Sequence, residues 1–93
     1  MSPVYYSQNP ADLAPPVELD GFTLIFHRPS GQTHMLTEPA PEILAALAEG
    51  PATPSEMLTR LARDHGLETE DDAEPVIAER MAELAALGLI FVA

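Results

Sequence analysis

The sequence predicts a small α+β domain in which a three-stranded antiparallel meander is followed by three helices. Two turn signals, one at Asp20 and Gly21 and one at residues 28–31, separate three apolar stretches of strand length. Three later segments carry apolar residues at helical spacing between start and stop signals. We therefore expect strands at residues 16–19, 22–28 and 32–36, and helices at residues 40–49, 54–65 and 72–87.

The first turn fixes the pairing of the first two strands. Asp20 and Gly21 suit the two positive φ angles of a type I′ turn, which places Leu19 opposite Phe22. Because side chains alternate between the two faces of a strand, one face of this hairpin is almost wholly apolar. We expect that face to pack against the core, and it carries Val17, Leu19, Phe22, Leu24 and Phe26.

The second turn sets the register of the third strand. With Pro29 and Gly31, the segment 28–31 suits a type I turn followed by a left-handed glycine bulge. That geometry places His34 opposite Phe26 and brings Leu36 into the core. A plain two-residue turn would shift the register by one residue and turn Met35 inward instead, and the position of Pro29 favours the bulge.

The second helix has the clearest boundary signals. Thr53 suits the N-cap position, Pro54 the first helical position, and Glu56 the position that returns the capping hydrogen bond. His65 and Gly66 close this helix.

The other two helices are bounded by proline, glycine and charge. Pro39 and Pro41 open the first helix, and Gly50 closes it. An acidic run at residues 68–74 leads into the third helix near residue 72, and Gly88 is expected to be its left-handed cap. The inner face of this helix is expected to carry Ile77, Met81 and Leu84, with Leu87 near the end. Residues 89–92 either add a final strand or pack as a tail. This order of elements has winged helix-turn-helix character.

Composition limits the classes of function. The 93 residues carry a net charge of −11 and include no cysteine, which excludes disulfides and thiolate chemistry and is typical of a reducing cytoplasm. We expect a soluble, cytoplasmic domain at residues 16–93, with no signal peptide and no membrane span. A flexible arm is expected at residues 1–15, in which Val4, Tyr5 and Tyr6 either dock on the domain or stay exposed. Such a negative charge disfavours nucleic acid and anionic membranes as partners.

Neither catalysis nor metal binding is indicated. In the favoured register His27 and His34 point to opposite faces and cannot share a metal. No base is expected near Ser30, and the other serine and threonine residues at turns and caps are no better placed. We therefore predict no enzyme activity, no cofactor and no metal.

The third strand of the meander is the expected binding element. Its outer edge has no neighbour in the sequence and carries neither proline nor lysine, and proteins tolerate such an edge mainly when a partner strand pairs with it. The third helix would wall the same groove. Arg80 would pair either with an acid on the peptide or with Glu79, Glu83 or an acid of the preceding run, and Val76 and Leu87 would either contact the peptide or extend the core. The predicted peptide-binding residues are Gln32, Thr33, His34, Met35, Leu36, Val76, Arg80, Glu83 and Leu87.

Three segments together resemble the PqqD-like family of small peptide chaperones. They are LDGFTLIFHRPSGQTHML, PEILAALAEGPATPSEMLTRLA and ELAALGLI, and their SGxTHxL element is most similar to the branch associated with HPr-kinase-related gene clusters. The resemblance covers roughly residues 16 to 91. It implies a recognition element of ribosomal peptide modification systems, in which the leader of a precursor peptide pairs with the third strand and lies against the third helix. It further implies a modifying enzyme as partner and no catalytic residues.

Two rival functions remain open. A winged-helix regulator would bind DNA through its last helix, and a structural module would dimerise through the exposed third strand.

Overall fold

The computed structural model describes residues 3–7, 10–66 and 73–93, which form an α+β fold as predicted. A short 3-10 helix lies at Pro10–Asp12, and the acidic run predicted before the third helix falls mostly outside the described residues. Among the described helices none is long and apolar enough to cross a lipid bilayer. The strands and helices are β1 (Tyr5–Ser7), β2 (Val17–Leu19), β3 (Phe22–His27), β4 (Gln32–Leu36), α1 (Ala40–Leu47), α2 (Pro54–His65), α3 (Ala73–Ala86) and β5 (Ile90–Val92).

The helix boundaries follow the capping signals. Thr53 and Glu56 form the predicted capping box, in which the Thr53 N–H donates to Glu56 Oε1 at 2.9 Å and the Glu56 N–H donates to Thr53 Oγ1 at 3.2 Å. At the end of α3, Gly88 has a φ of 79° and the Leu89 N–H donates to the Leu84 carbonyl at 3.0 Å, as in a Schellman motif. Sequence signals therefore located the ends of these helices correctly.

The capping box makes stability depend on pH. The hydrogen bond from the Thr53 backbone holds the pKa of Glu56 below its ordinary 4.5, so the carboxylate stabilises the folded state fully above that pH. Its contribution is lost as the pH falls through the lower pKa of the folded state. We expect Glu56→Gln to lower the melting temperature at pH 7 and to have a smaller effect at pH 3, as measured by circular dichroism.

Glu18→Gln is the matched control for this measurement. It removes the same charge from an exposed strand position rather than from a helix N-terminus. If both variants differ from the natural chain by the same amount at both pH values, net charge rather than the capping box explains the effect.

The described part of the N-terminal segment contacts the rest of the domain, which is one of the two alternatives expected for Val4, Tyr5 and Tyr6. Tyr5 is buried, and it exchanges two backbone hydrogen bonds with Ala52, at 2.9 and 3.0 Å. β1 also pairs antiparallel with β5, so the segment after α3 is a strand rather than a tail. The order of strands followed by helices is thus only partly right, because β1 and β5 form a second, two-stranded sheet.

The main sheet has the strand order β2-β3-β4, and its first hairpin has the predicted register. Leu19 pairs with Phe22 across the turn, where Asp20 and Gly21 have φ angles of 46° and 85°. Both angles are positive, as a type I′ turn requires. The aspartate–glycine signal therefore determined both the turn and the pairing.

The second hairpin differs from the prediction by one residue. His34 pairs with Ile25 rather than Phe26, because the loop contains all four residues 28–31. The Arg28 N–H donates to the Asp12 carbonyl at 2.8 Å, on the side of β3 that faces away from β4. Gly31 is left-handed as expected, with a φ of 70°.

The predicted core face of the sheet is wrong. Thr23 and Ile25 are buried, and Leu36 joins them as predicted, but from a pairing opposite Thr23. Leu13 adds to this inner face by pairing with His27, so the apolar surface of the inner face comes from three separate segments. The opposite side, here called the outer face, carries Val17, Leu19, Phe22, Leu24, Phe26 and Met35, of which all but the half-buried Leu24 are exposed.

The helices supply most of the core beneath the inner face. Their buried side chains follow the predicted periodicity, with Ile43, Met57 and Met81 wholly inaccessible to solvent. Leu87, expected near the end of the inner side of α3, is instead 48% exposed. Leu87 is thus available on the surface, although Leu84 in the last turn of α3 is buried.

Candidate functional site

A cleft of about 360 Å³ separates the end of β4 from α3. Its volume lies toward the lower end of the range of about 300 to 1,000 Å³ that is usual for ligand sites. We call it the β4–α3 cleft, and it is lined by Met35, Leu36, Thr37, Glu38, Ala40, Arg80, Glu83, Leu84 and Leu87.

The cleft has a mixed polar and apolar lining, of which three apolar residues form what we call its floor. Leu36 comes from β4, Ala40 from the start of α1 and Leu84 from α3, and all three are buried. The exposed Leu87 extends this apolar surface toward solvent. An apolar side chain entering the cleft would therefore contact carbon atoms on several sides.

Five of the nine predicted site residues line this cleft, namely Met35, Leu36, Arg80, Glu83 and Leu87. Gln32, Thr33 and His34 lie farther along β4, outside the lining. Val76 also lies outside it, but with Arg80, Glu83 and Leu87 it has the i, i+4, i+7 and i+11 spacing of one helical stripe. The structure thus places the end of β4 beside α3, but the cleft between them is shorter than the groove expected from the sequence.

Three lining residues were not predicted from the sequence: Thr37, Glu38 and Ala40. They connect β4 to α1, and a prediction that considered only the strand and the third helix overlooked this connection. Leu84 was predicted as a core residue, and it also forms part of the floor. The sequence signal that could have identified these residues is their position directly after the third strand, next to the predicted binding edge.

The one positive side chain of the cleft lining is paired with an acidic side chain of the same helix. Arg80 Nη1 donates to both carboxylate oxygens of Glu83, at 2.7 and 2.9 Å, which raises the pKa of Arg80. Of the two alternatives for Arg80, the structure shows the pairing within α3. Since Glu38 also lines the cleft, one negative charge is in excess there.

The hydrogen bonds of β3 show toward which side each of its residues directs its backbone groups. In an antiparallel strand, successive residues direct their N–H and C=O groups to opposite sides. The Phe26 carbonyl accepts a hydrogen bond from the Ala14 N–H at 3.0 Å, and the His27 carbonyl accepts one from the Gly31 N–H at 2.9 Å. The backbone groups of Phe26 therefore point toward the N-terminal segment, and those of His27 point toward β4.

The same alternation identifies the free groups of β4. His27 pairs with Gln32, so Gln32 and every second residue after it direct their backbone groups toward β3. Thr33 and Met35 direct theirs away from β3. In the part of the chain that the structure describes, no strand pairs with that edge, so four main-chain groups of Thr33 and Met35 face outward beside the cleft.

The histidines are arranged differently from the prediction. His27 and His34 lie on the same face of the sheet, because the register is shifted by one residue. Within residues 3–7, 10–66 and 73–93, no group of three histidine or acidic side chains is placed to hold a metal ion.

A base does lie beside Ser30, contrary to the prediction. His27 Nδ1 is 2.7 Å from Ser30 Oγ, which also accepts a hydrogen bond from the Gln32 N–H at 3.3 Å. Both contacts span the exposed turn between β3 and β4, and neither residue lines the β4–α3 cleft. The contact between His27 and Ser30 therefore stabilises this turn.

Comparisons of this chain with protein-family models, curated proteins and solved structures found no match.

Proposed function

We propose that this chain is a non-catalytic adaptor that holds the leader of a ribosomally made precursor peptide as an added strand on β4. In this proposal the domain is winged helix-turn-helix-like, and it presents the rest of the peptide to a modifying enzyme. The observation that carries the proposal is that outward-facing backbone groups of β4 lie beside a cleft walled by α3. Strand addition uses both kinds of surface, main-chain groups for pairing and pockets for side chains.

Apolar anchors must supply most of the affinity. Four main-chain hydrogen bonds at a net of about 1 kcal/mol each scarcely offset an association cost of about 4 kcal/mol or more. Each apolar side chain buried on the floor formed by Leu36, Ala40 and Leu84 adds about 2 kcal/mol. The peptide that fits best therefore carries apolar residues on the side that faces α3.

The excess negative charge selects among such peptides. Arg80 is already paired with Glu83, which leaves Glu38 to attract a basic side chain. The net charge of −11 acts in the same direction over longer distances. A leader with a basic residue beside its apolar anchors is the expected ligand.

The DNA-binding alternative is less well supported. Three of the four arginine side chains already donate to groups of this chain: Arg60 to carbonyl oxygens, Arg63 to Glu49 and Asp64, and Arg80 to Glu83. Binding to duplex DNA depends on several free cations that contact phosphates. Among the described residues, little of the positive charge is available for this.

The test is a titration of a fluorescently labelled leader peptide from the short open reading frame beside this gene. We expect saturable binding, with a scrambled peptide binding at least tenfold more weakly. Leu87→Glu should weaken binding roughly tenfold, because it replaces an exposed apolar group of the cleft by a charge.

Val92→Glu is the matched control, since Val92 is similarly exposed but lies on β5, outside the cleft lining. Equal losses in both variants, or equal binding of the scrambled peptide, would contradict the proposal. A labelled DNA duplex at low salt forms the second arm, and salt-sensitive binding of that duplex would favour the regulator instead.

A further inference from the structure

The outer face of the main sheet is a continuous apolar surface. Val17 and Leu19 of β2 are 53% and 54% exposed, and Phe22 and Phe26 of β3 are 41% and 39% exposed. The half-buried Leu24 lies between them, and Met35 of β4, at 65%, completes the patch. Since a large apolar side chain has a surface of about 200 Å², the patch exposes on the order of 500 Å².

A patch of this size is near the upper limit for an unpartnered surface, because the largest apolar patch of a typical monomer covers roughly 300 to 600 Å². A stable interface buries about 800 Å² per partner, with an apolar centre and a polar rim. The outer face thus supplies the centre of an interface of standard size, and neighbouring turn and strand residues would supply the rim.

The charge pattern indicates what covers the face. The chain has fifteen acidic residues, yet the outward positions of β2, β3 and β4 hold only apolar residues and Thr33. A basic partner would find no carboxylate at the centre of this surface. An identical apolar face, in contrast, is complementary to it, and the repulsion between two acidic copies is screened beyond about 8 Å at physiological salt.

We infer that two copies of this chain associate through their outer faces, so that the two three-stranded sheets pack as a small sandwich. Such a contact is symmetric, because each copy contributes the same patch, and packed sheets lie about 10 Å apart with interleaved side chains. It leaves the outward backbone groups of Thr33 and Met35 at the open edge. This dimer therefore differs from one that forms by pairing of the two β4 edges.

Analytical ultracentrifugation of the purified chain tests the inference. The natural chain should sediment as a dimer of twice its 10.0 kDa mass, and added salt should strengthen the association by screening the repulsion. Leu19→Lys and Leu19→Glu should each weaken it roughly 100-fold, because two leucines per dimer are replaced by like charges. Agreement between substitutions of opposite sign excludes an effect of net charge alone.

Two controls separate this contact from others. Phe91→Lys and Phe91→Glu alter a similarly exposed side chain on β5, and both variants should remain dimeric. Thr33→Pro blocks the β4 edge without removing an apolar side chain of the patch, and it should also remain dimeric. Loss of the dimer in the Phe91 variants, retention of it in both Leu19 variants, or a natural chain that stays monomeric at millimolar concentration would each overturn the inference.

A dilution experiment on the natural chain tests the same interface without depending on whether the variants fold. On dilution, methyl resonances of Val17, Leu19 and Leu24 should shift, while those of Leu87 and Val92 stay constant. Shifts confined to Leu87 and Val92 would place the contact elsewhere and refute the outer face as the interface.

Discussion

Met35→Pro is expected to abolish leader binding while leaving the domain folded. The N–H of Met35 faces the open edge of β4, so proline removes a donor that the peptide needs without removing a hydrogen bond between β3 and β4. Its ring also occupies the space that the added strand would take. Together these effects should weaken binding on the order of 100-fold in the fluorescence titration.

Two further substitutions sharpen this test. Met35→Ala keeps the N–H and removes only the side chain, so it should weaken binding much less than proline does. His34→Pro removes a donor that faces β3, so it should destabilise the sheet itself. If Met35→Ala lost as much affinity as Met35→Pro, side-chain contacts rather than strand addition would account for binding.

Arg60→Ala is expected to cause a large loss of stability for a residue at the surface of the helical layer. Its guanidinium donates to the carbonyl oxygens of Ala46, Gly50 and Pro51, at 3.2, 2.7 and 3.1 Å. These carbonyls lie at and after the end of α1, where no further helical turn follows. The Ala46 carbonyl also accepts a hydrogen bond from the Glu49 N–H at 3.1 Å, so Arg60 matters most for the carbonyls of Gly50 and Pro51. Removing a charged donor from them should lower the free energy of unfolding by about 2 to 3 kcal/mol.

Chemical denaturation compares Arg60→Ala with Arg63→Ala. Arg63 pairs with Glu49 and Asp64 on the exposed side of α2, where solvent screens the charges, so its loss should change stability only slightly. Equal effects of the two substitutions would show that the carbonyl contacts of Arg60 contribute nothing special.

The helices were predictable because their ends carry local chemistry. The capping box of Thr53 and Glu56 and the left-handed Gly66 and Gly88 act within a few residues of themselves. The first hairpin was predictable for the same reason, since Asp20 and Gly21 set its turn.

The sheet face was not predictable in this way. Which face is buried depends on Leu13, which reaches the sheet from the N-terminal segment, and on helices that follow later in the chain. Counting apolar residues within one hairpin selects the outer face instead. The shift in the second hairpin arises from its loop, which contains the four residues 28–31.

The candidate site tolerates the error in the sheet face, whereas the register shift exchanges the residues of β4 whose backbone groups face outward. Strand addition depends on the open backbone edge of β4 and on the stripe of α3 beside it, and neither changes when the inner and outer faces exchange. Glu38 was missed because it belongs to the connection after β4, whose position beneath the edge follows from the packing of α1.

The central claim is that a guest strand pairs with the outward backbone groups of β4. Hydrogen exchange of individual amides, followed by NMR, tests it most directly. In the free protein the amides of His34 and Leu36 should exchange slowly and those of Thr33 and Met35 quickly, and saturating leader peptide should slow Thr33 and Met35 at least tenfold. If these two amides exchange equally fast with and without bound peptide, the guest does not add to β4 and the account fails.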